Sequence, residues 1–487
     1  MVAAMRRQFL HDNRLFPADS ATRAIAQRLF KEVRDLPIVS PHGHTQAEWF
    51  ATNAAFPDPA RLFIVPDHYI FRMLYSQGVA LEDLGVGTYG ASPEQRAQFD
   101  ARKVWRIFAE HYYLFRGTPT RLWLDYIFQN LFDLRERLTA KNADAYFDAI
   151  DAALKTPEFL PRALYEEFRI EVLATTDSPL DSLEHHLALA KSGWRGRVIP
   201  TFRPDAVVDP DFPDFATNLA RLGEMTHEDT STWHGYLAAL RSSRARFKTV
   251  GATATDHGHP TAATADLDSI EATKLFDRVH KAAQPGTQIE SRADHVRHAE
   301  LFRAQMLTEM ARMSIDDGLV MQLHPGAYRN HNADVYTRFG RDVGGDIPTA
   351  TDYVHALAPL LNRFGNDSRL TLIVFTLDES AYSRELAPLA GHYPALRLGP
   401  AWWFHDSPEG MMRFRELTTE TAGFYNTVGF NDDTRAFLSI PTRHDVARRI
   451  DCSFLARLVA EHRLEEDEAR ELAIDLAGDL ARKAYKL

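Results

Sequence analysis

Leu36-Pro37-Ile38-Val39-Ser40-Pro41-His42-Gly43-His44 is a short apolar run that ends in two histidines one residue apart. Alternate side chains of an extended chain share a face, so His42 and His44 present two imidazoles to one point just past the end of a strand. Such a pair is half of a metal site. The pattern alone is weak. With 21 histidines in 487 residues, chance supplies roughly one such pair, and His257 and His259 form a second. Placement has to decide between a metal pair and two solvated loop histidines, because a parallel barrel keeps its chemistry at the C-terminal ends of its strands.

Similar β-rich runs recur at 168–176, 197–203, 249–255, 318–324, 371–376, 396–403 and 424–431, and stretches of helical spacing such as 181–191, 296–313, 352–363 and 442–463 lie between most of them. Eight strand-like runs alternating with helices predict an α/β fold, a distorted (β/α)8 TIM-like barrel. The competing arrangement is a doubly wound open sheet, but no Gly-x-Gly-x-x-Gly follows the first run. About 125 residues separate the first two runs, far more than an ordinary crossover needs. That interval is rich in aromatics at helical spacing, as in 102–108 and 122–128, and is expected to be an inserted helical subdomain whose rings pack a core rather than hold a ligand. The expected division is an N-terminal helix and first strand over 1–44, the helical insertion over 45–167, and the remainder of the barrel with the C-terminal helices over 168–487. Smaller insertions are expected at 205–245 and 257–290.

A net charge of −11 and a pI near 6.0 give no general basic field, which argues against nucleic acid and anionic membranes as partners. No run of about 18 apolar residues occurs, and Arg6, Arg7, His11, Asp12 and Arg14 interrupt the start of the chain before a leader-like stretch can form, so a cytoplasmic protein is expected. The lone Cys452 excludes an intramolecular disulfide and reads as a small buried residue. A homo-oligomer is left open, since no interface is legible.

Polar chemistry gathers at the ends of the runs: His42 and His44 after the first, Asp177 after the second, Arg203 after the third, Asp256 and His257 after the fourth, His324 after the fifth, His405 and Asp406 beyond the seventh, and Asp433 and Arg435 beyond the eighth. Their concentration there predicts a site at the C-terminal mouth of the barrel.

At this level the chain resembles the uronate isomerases (glucuronate isomerases) of the amidohydrolase superfamily. The matching pieces are His42-Gly43-His44, Asp67 to Arg72 (DHYIFR), Thr175 to Pro179 (TTDSP), Thr201 to Asp205 (TFRPD), Gln322 to Asn330 (QLHPGAYRN), Trp402 to Asp406 (WWFHD) and Asp433 to Phe437 (DTRAF). They run in order through nearly the whole chain. The resemblance implies a barrel enzyme that interconverts D-glucuronate with D-fructuronate, and D-galacturonate with D-tagaturonate. It also implies one divalent metal, by family habit Zn²⁺, with His42, His44 and Asp433 as ligands. Two imidazoles, a carboxylate and an open position suit a catalytic rather than a structural zinc. Two positions depart from the family pattern: His331 stands where an Asn is expected, and Asn431-Asp432 stands where Leu-Thr is expected. Asp433 is preferred over Asp432 as the ligand because only Asp433 keeps the Asp-x-Arg spacing.

Aldose–ketose conversion moves a proton from C2 to C1 through an enediol and needs a base, a proton donor and an electrophile. Asp433 is the first choice of base, although a cation would lower its basicity, and a metal-held water is the alternative. Tyr69, with His68 beside it, is assigned the C1 proton. The carboxylate of the small uronate substrate calls for guanidinium groups, and Arg435 and Arg203, then Arg72, are the candidates. His324 is expected to touch a substrate hydroxyl, Trp402 and Trp403 to wall the sugar or pack the barrel, and Asp177 and Asp256 to orient their neighbours. Two other functions stay open. One is a metal-dependent hydrolase of the same superfamily, which in its binuclear form would want a Lys or Glu in 249–256, where there is neither. The other is a sugar-acid binding protein without catalysis.

Overall fold

Ile38-Val39-Ser40 is buried at every position, and so are Val198–Phe202 and Val320–Leu323. Runs with no exposed face belong in a parallel sheet covered on both sides. The computed structural model describes residues 10–87, 99–284, 286 and 291–487. Among these, β1 (Ile38–Ser40), β2 (Ile170–Asp177), β3 (Val198–Phe202), β4 (Ala254–His257), β5 (Val320–Leu323), β8 (Leu372–Val374) and β9 (Leu396–Leu398) form one parallel sheet in that order. The two remaining strands, β6 (Ala327–Tyr328) and β7 (Ile347–Pro348), make a small antiparallel pair beyond β5.

The sheet curls into a distorted barrel. Its eighth position is held by a single bridge, Leu398 to Thr427, flanked by hydrogen bonds from Leu398 N–H to Asn426 O and from Val428 N–H to Leu398 O. A further bond of 2.9 Å, from His44 N–H to Thr434 O, joins this segment to the first strand. The expected strand at 424–431 is therefore irregular, and Gly429, at φ 74°, is in a conformation no strand residue adopts. The fourth strand also lies later than 249–255: residues 233–249 are helical, Gly251 turns at φ 96°, and pairing begins at Ala254.

Between β1 and β2 the chain forms helices that include His68–Tyr75, Ala101–His111, Pro119–Tyr126 and Ala143–Leu154. Phe63, Trp105, Phe108, Tyr112 and Phe128 are buried among them in one cluster that also takes in Ile38, Ile170 and Phe437. These rings pack, as expected. Residues 88–98 of this interval, 285 and 287–290 of the expected insertion at 257–290, and the first nine residues lie outside the described residues. The final helix, Leu480–Tyr485, fills the barrel interior: Ala481 packs with Val39, Val172 and Ile199, and the Tyr485 hydroxyl donates to Gln322 Oε1 at 2.8 Å. Cys452 is buried in the helix Ile440–Ala460. No helix among the described residues is long and apolar enough to cross a membrane.

Candidate active site

β1 ends at Ser40, and Pro41 to His44 turn over the barrel mouth. Gly43 lets the backbones close in: its carbonyl accepts from Thr176 Oγ1 at 2.8 Å, and a Cβ there would meet the carbonyl oxygens of Ala174 and Thr434 at 3.4 Å. His42 Nε2 and His44 Nε2 lie 3.4 and 3.0 Å from Asp433 Oδ1, an atom that is buried without a hydrogen bond. Asp433 has φ 36°, a strained conformation for a residue with a side chain. Its neighbour Asp432 faces away, onto His444 Nε2 at 3.1 Å. Burial resists ionisation of Asp433, but the two imidazoles outweigh it and hold the carboxyl well below its usual range. Burial also pulls on both imidazoles. For His42 it is overcome by Asp433 and Asp256, which raise its pKa, whereas His44 stays lowered.

His42 belongs to a second donor group with Asp256 and His324, and in each group the candidate ligand atoms lie within 4.8 Å of one another. Asp256 is fully buried at the end of β4, 2.6 Å from His324 Nδ1 and 3.0 Å from a terminal nitrogen of Arg203. Arg203 also donates from Nε to Asp205 Oδ2 at 2.8 Å. Gly258 makes room for this pair, since a Cβ would fall 2.0 Å from the guanidinium. Burial resists ionisation of Asp256 too, yet Arg203 and His324 keep it well below the ordinary carboxyl range. The His324 ring stacks between His42, at 4.8 Å, and Phe375, at 3.9 Å, with Trp402 edge-on at 4.7 Å.

These groups open into a cavity of about 460 Å³, a size suited to a small ligand. Of the residues singled out from sequence, His42, His44, His68, Tyr69, Asp177, Arg203, His324, Trp402, Trp403, Asp433 and Arg435 line it. Arg72 is not among the lining residues. It stands three positions after Tyr69 on the same short helix, and its guanidinium lies over the Phe404 ring at 4.8 Å. Arg435 is exposed, and its guanidinium makes no ion pair among the described residues.

Tyr69 is set by its helix start. Asp67 caps that helix, accepting from Tyr69 N–H at 2.8 Å, and burial pushes the Asp67 carboxyl up to about 6 against the pull of Arg443. The His68 ring stacks on Tyr69 at 4.5 Å, and His68 Nε2 accepts from Trp403 Nε1 at 3.0 Å. Burial, with Arg435 and Arg72 nearby, lowers His68 to about 3, which leaves it a neutral acceptor. Burial raises the Tyr69 phenol well above its usual pKa.

Sequence reasoning missed several lining residues. Arg443 comes from the helix Ile440–Ala460, while Arg341 and Asp342 come from the insertion that follows β6. The only cue to Arg443 is its place ten residues after Asp433. Asp342, at φ 61°, has its carboxyl held low by Arg435, Arg329 and Arg341 in spite of burial. Arg329 and Asn330 lay in a quoted motif without a role, and both are pinned by Asp346, through bonds of 2.7 and 2.8 Å.

The chain has relatives over its whole length. A family model described as glucuronate isomerase matches residues 7–483. A uronate isomerase of Rhizorhabdus wittichii is 64% identical over 487 residues, covering 100% of both chains. Among solved structures, glucuronate isomerase from Caulobacter crescentus superposes with a TM-score of 0.94 at 58% identity, covering 99% of this chain and 98% of that one. Uronate isomerase from Thermotoga maritima gives 0.88 at 27% identity, covering 98% and 99%. A match that runs unbroken from before the first strand to the helix inside the barrel includes every element that builds the cavity, and the chain belongs to the glucuronate (uronate) isomerase family.

Proposed function

We propose that the protein is an aldose–ketose isomerase that interconverts D-glucuronate with D-fructuronate, and D-galacturonate with D-tagaturonate, by proton transfer from C2 to C1 through an enediol. The observation that carries this reading is one cavity that combines a phenol, a carboxylate met by two imidazoles, and an exposed arginine with no ion-pair partner among the described residues. The hydrolase and binding-protein alternatives find no support in the named relatives.

His42, His44 and Asp433 fit a divalent cation, because two imidazole nitrogens converge on a buried carboxylate oxygen that has no hydrogen bond. We read that cation as Zn²⁺, which when bound would supply electrophilic stabilisation to the oxygens on C1 and C2. Asp433, kept ionised by its neighbours, accepts the C2 proton. Tyr69 delivers a proton to C1. The second nitrogen of His324, buried and without a hydrogen bond, accepts from a sugar hydroxyl. Arg435 takes the substrate carboxylate first, since Arg203 is already shared between Asp205 and Asp256. Trp402 offers a flat apolar wall to the sugar's C–H face. Arg72 lies over Phe404, which stacks on Trp403, the ring beside Trp402.

The test is incubation of the purified protein with D-glucuronate, and separately D-galacturonate, in deuterium oxide, followed by NMR. Ketose carrying deuterium at C1 is the expected product. Ketose without deuterium would replace the exchanging enediol with shielded transfer or a hydride shift. No ketose from either sugar, with zinc supplied, would overturn the assignment.

A further inference from the structure

A buried phenol is a poor acid. Ionising it leaves a charge with little solvation, so a tyrosine that must give up a proton needs a cation held close by. Arg443 meets that need from the far end of the sequence. Its guanidinium lies 3.7 Å from the centre of the Trp123 ring and 5.9 Å from that of Tyr69, and Trp123 meets Tyr69 edge-on at 5.7 Å. Three anchors fix it: Nε donates to Ser439 Oγ at 3.0 Å, and one terminal nitrogen donates to Asp406 Oδ2 and to Asp432 O, the latter at 3.5 Å. Both Arg443 and Asp406 are buried. Asp406 is the ion-pair partner of the guanidinium, and Arg443 also reaches the cavity wall.

We infer that Arg443 is a positioning residue for the C1 proton transfer: it holds the Tyr69 ring against Trp123 and stabilises the phenolate that Tyr69 becomes when its proton leaves. This rests on the assignment of Tyr69 as the C1 proton donor. In the step concerned, the Tyr69 O–H bond breaks and a C1–H bond forms with the electron pair of the enediolate double bond. The C2 hydroxyl proton passes to the C1 oxygen as the C2 carbonyl forms, and the base returns to the phenolate the proton it took from C2. No oxidant or reductant is needed.

Other charges face the phenol. Asp406, Asp433 and Asp67 all oppose its ionisation, while after burial Arg443 is the largest influence and favours it, and Arg72, one turn along the helix of Tyr69, is a second cation coupled to the phenol. Without Arg443 the phenol would face three carboxyls and a neutral His68, with Arg72, whose guanidinium lies over Phe404, as the remaining cation. Trp123, whose indole N–H is buried without a hydrogen bond, is the flat support on which the guanidinium lies.

The experiment is a double-mutant cycle on kcat with D-glucuronate, using Tyr69→Phe, the charge-neutral pair Arg443→Met with Asp406→Asn, and all three substitutions together. Neutralising both partners avoids leaving one buried charge alone. Tyr69→Phe should lower kcat about 100-fold or more. The pair should lower kcat about 10- to 100-fold with KM changed less than about 3-fold, and should add less than about 2-fold in the Tyr69→Phe background. An equal loss from the pair in both backgrounds, or no loss in either, would overturn the role of Arg443 while leaving Tyr69 in place. Wild-type kcat in Tyr69→Phe would instead remove Tyr69 as donor, and Arg443's role with it. If the neutral pair does not fold, Arg443→Lys with Asp406 retained replaces it: the charge survives but the planar stack does not, so kcat should fall in the Tyr69 background and hold in Tyr69→Phe. The same fall in both would overturn the proposal.

Discussion

His324 Nδ1 lies 2.6 Å from Asp256 Oδ1, and the ring's other nitrogen is buried without a hydrogen bond. The carboxylate fixes which nitrogen carries the proton, so the imidazole presents an acceptor to the cavity. Asp256 also ties Arg203 to the same point. Asp256→Asn keeps the shape but removes the charge that both partners answer, and its amide can turn a donor towards His324. The expected result is a loss of about 10- to 100-fold in kcat/KM with D-glucuronate and an unchanged far-ultraviolet circular dichroism spectrum. Wild-type kinetics in this variant would show that the His324 tautomer does not matter to turnover.

Metal content tests the convergence of His42 and His44 on Asp433. After dialysis against metal-free buffer, the wild-type chain should retain about one equivalent of zinc, and His42→Ala and Asp433→Asn less than about a tenth of that, by inductively coupled plasma mass spectrometry. A chelator should lower the melting temperature of the wild type and leave both variants unmoved, because only a state that binds the ion is stabilised by it. Equal zinc in all three proteins would take the ion away from both donor groups, since His42 belongs to each, whereas zinc lost from His42→Ala but kept in Asp433→Asn would point to the His42, Asp256 and His324 group.

Asp177 ends β2 at the cavity edge, accepting from Thr175 Oγ1 at 2.6 Å, and burial pushes its carboxyl up to about 7 from the usual 3.8. Between pH 4 and 7 the folded chain holds a proton there that the unfolded chain has released, so this group's contribution to stability falls as pH rises through that window. The upper bound on the cost above pH 7 is about 4 kcal/mol. Asp177→Asn cannot ionise and can still accept from Thr175. Its melting temperature should lie close to wild type at pH 4, pull ahead through that window and exceed wild type by several degrees at pH 8. A difference of the same size at both pH values would mean that ionisation is not the cause.

The first strand and its two histidines were legible because alternation in an extended chain is a local property, and Ile38-Val39-Ser40 needs no partner to reveal it. The eighth position was legible only in part. Thr427 bridges Leu398, but Gly429 and Asp433 both take left-handed backbone, and no propensity announces that. The fourth run began too early because Thr249 and Val250 suit a strand by composition, while the long helix that ends at Thr249 needs them to close its last turn. Arg72 and Arg443 mark the wider limit. Arg72 is three residues from Tyr69 in sequence yet turns to Phe404, whereas Arg443 reaches Tyr69 from a helix that only tertiary packing brings to the cavity.

Arg435 and Arg72 separate a carboxylate grip from wall support. Arg435 lines the cavity, exposed and without an ion pair among the described residues, so its removal costs the fold little. A charge-assisted bond to a carboxylate is worth about 1.5–3 kcal/mol, so Arg435→Met should raise KM for D-glucuronate about 10- to 100-fold with a melting temperature within about 1 °C of wild type. Arg72 lies on Phe404 outside the cavity lining. Arg72→Met should change KM less than about 3-fold while lowering the melting temperature, since the stacked guanidinium covers an aromatic face. Steady-state kinetics and calorimetry on the two variants decide the matter. A KM unchanged in Arg435→Met, or raised equally in Arg72→Met, would take the substrate carboxylate away from Arg435 and turn attention to Arg203, the other lining arginine chosen for that grip.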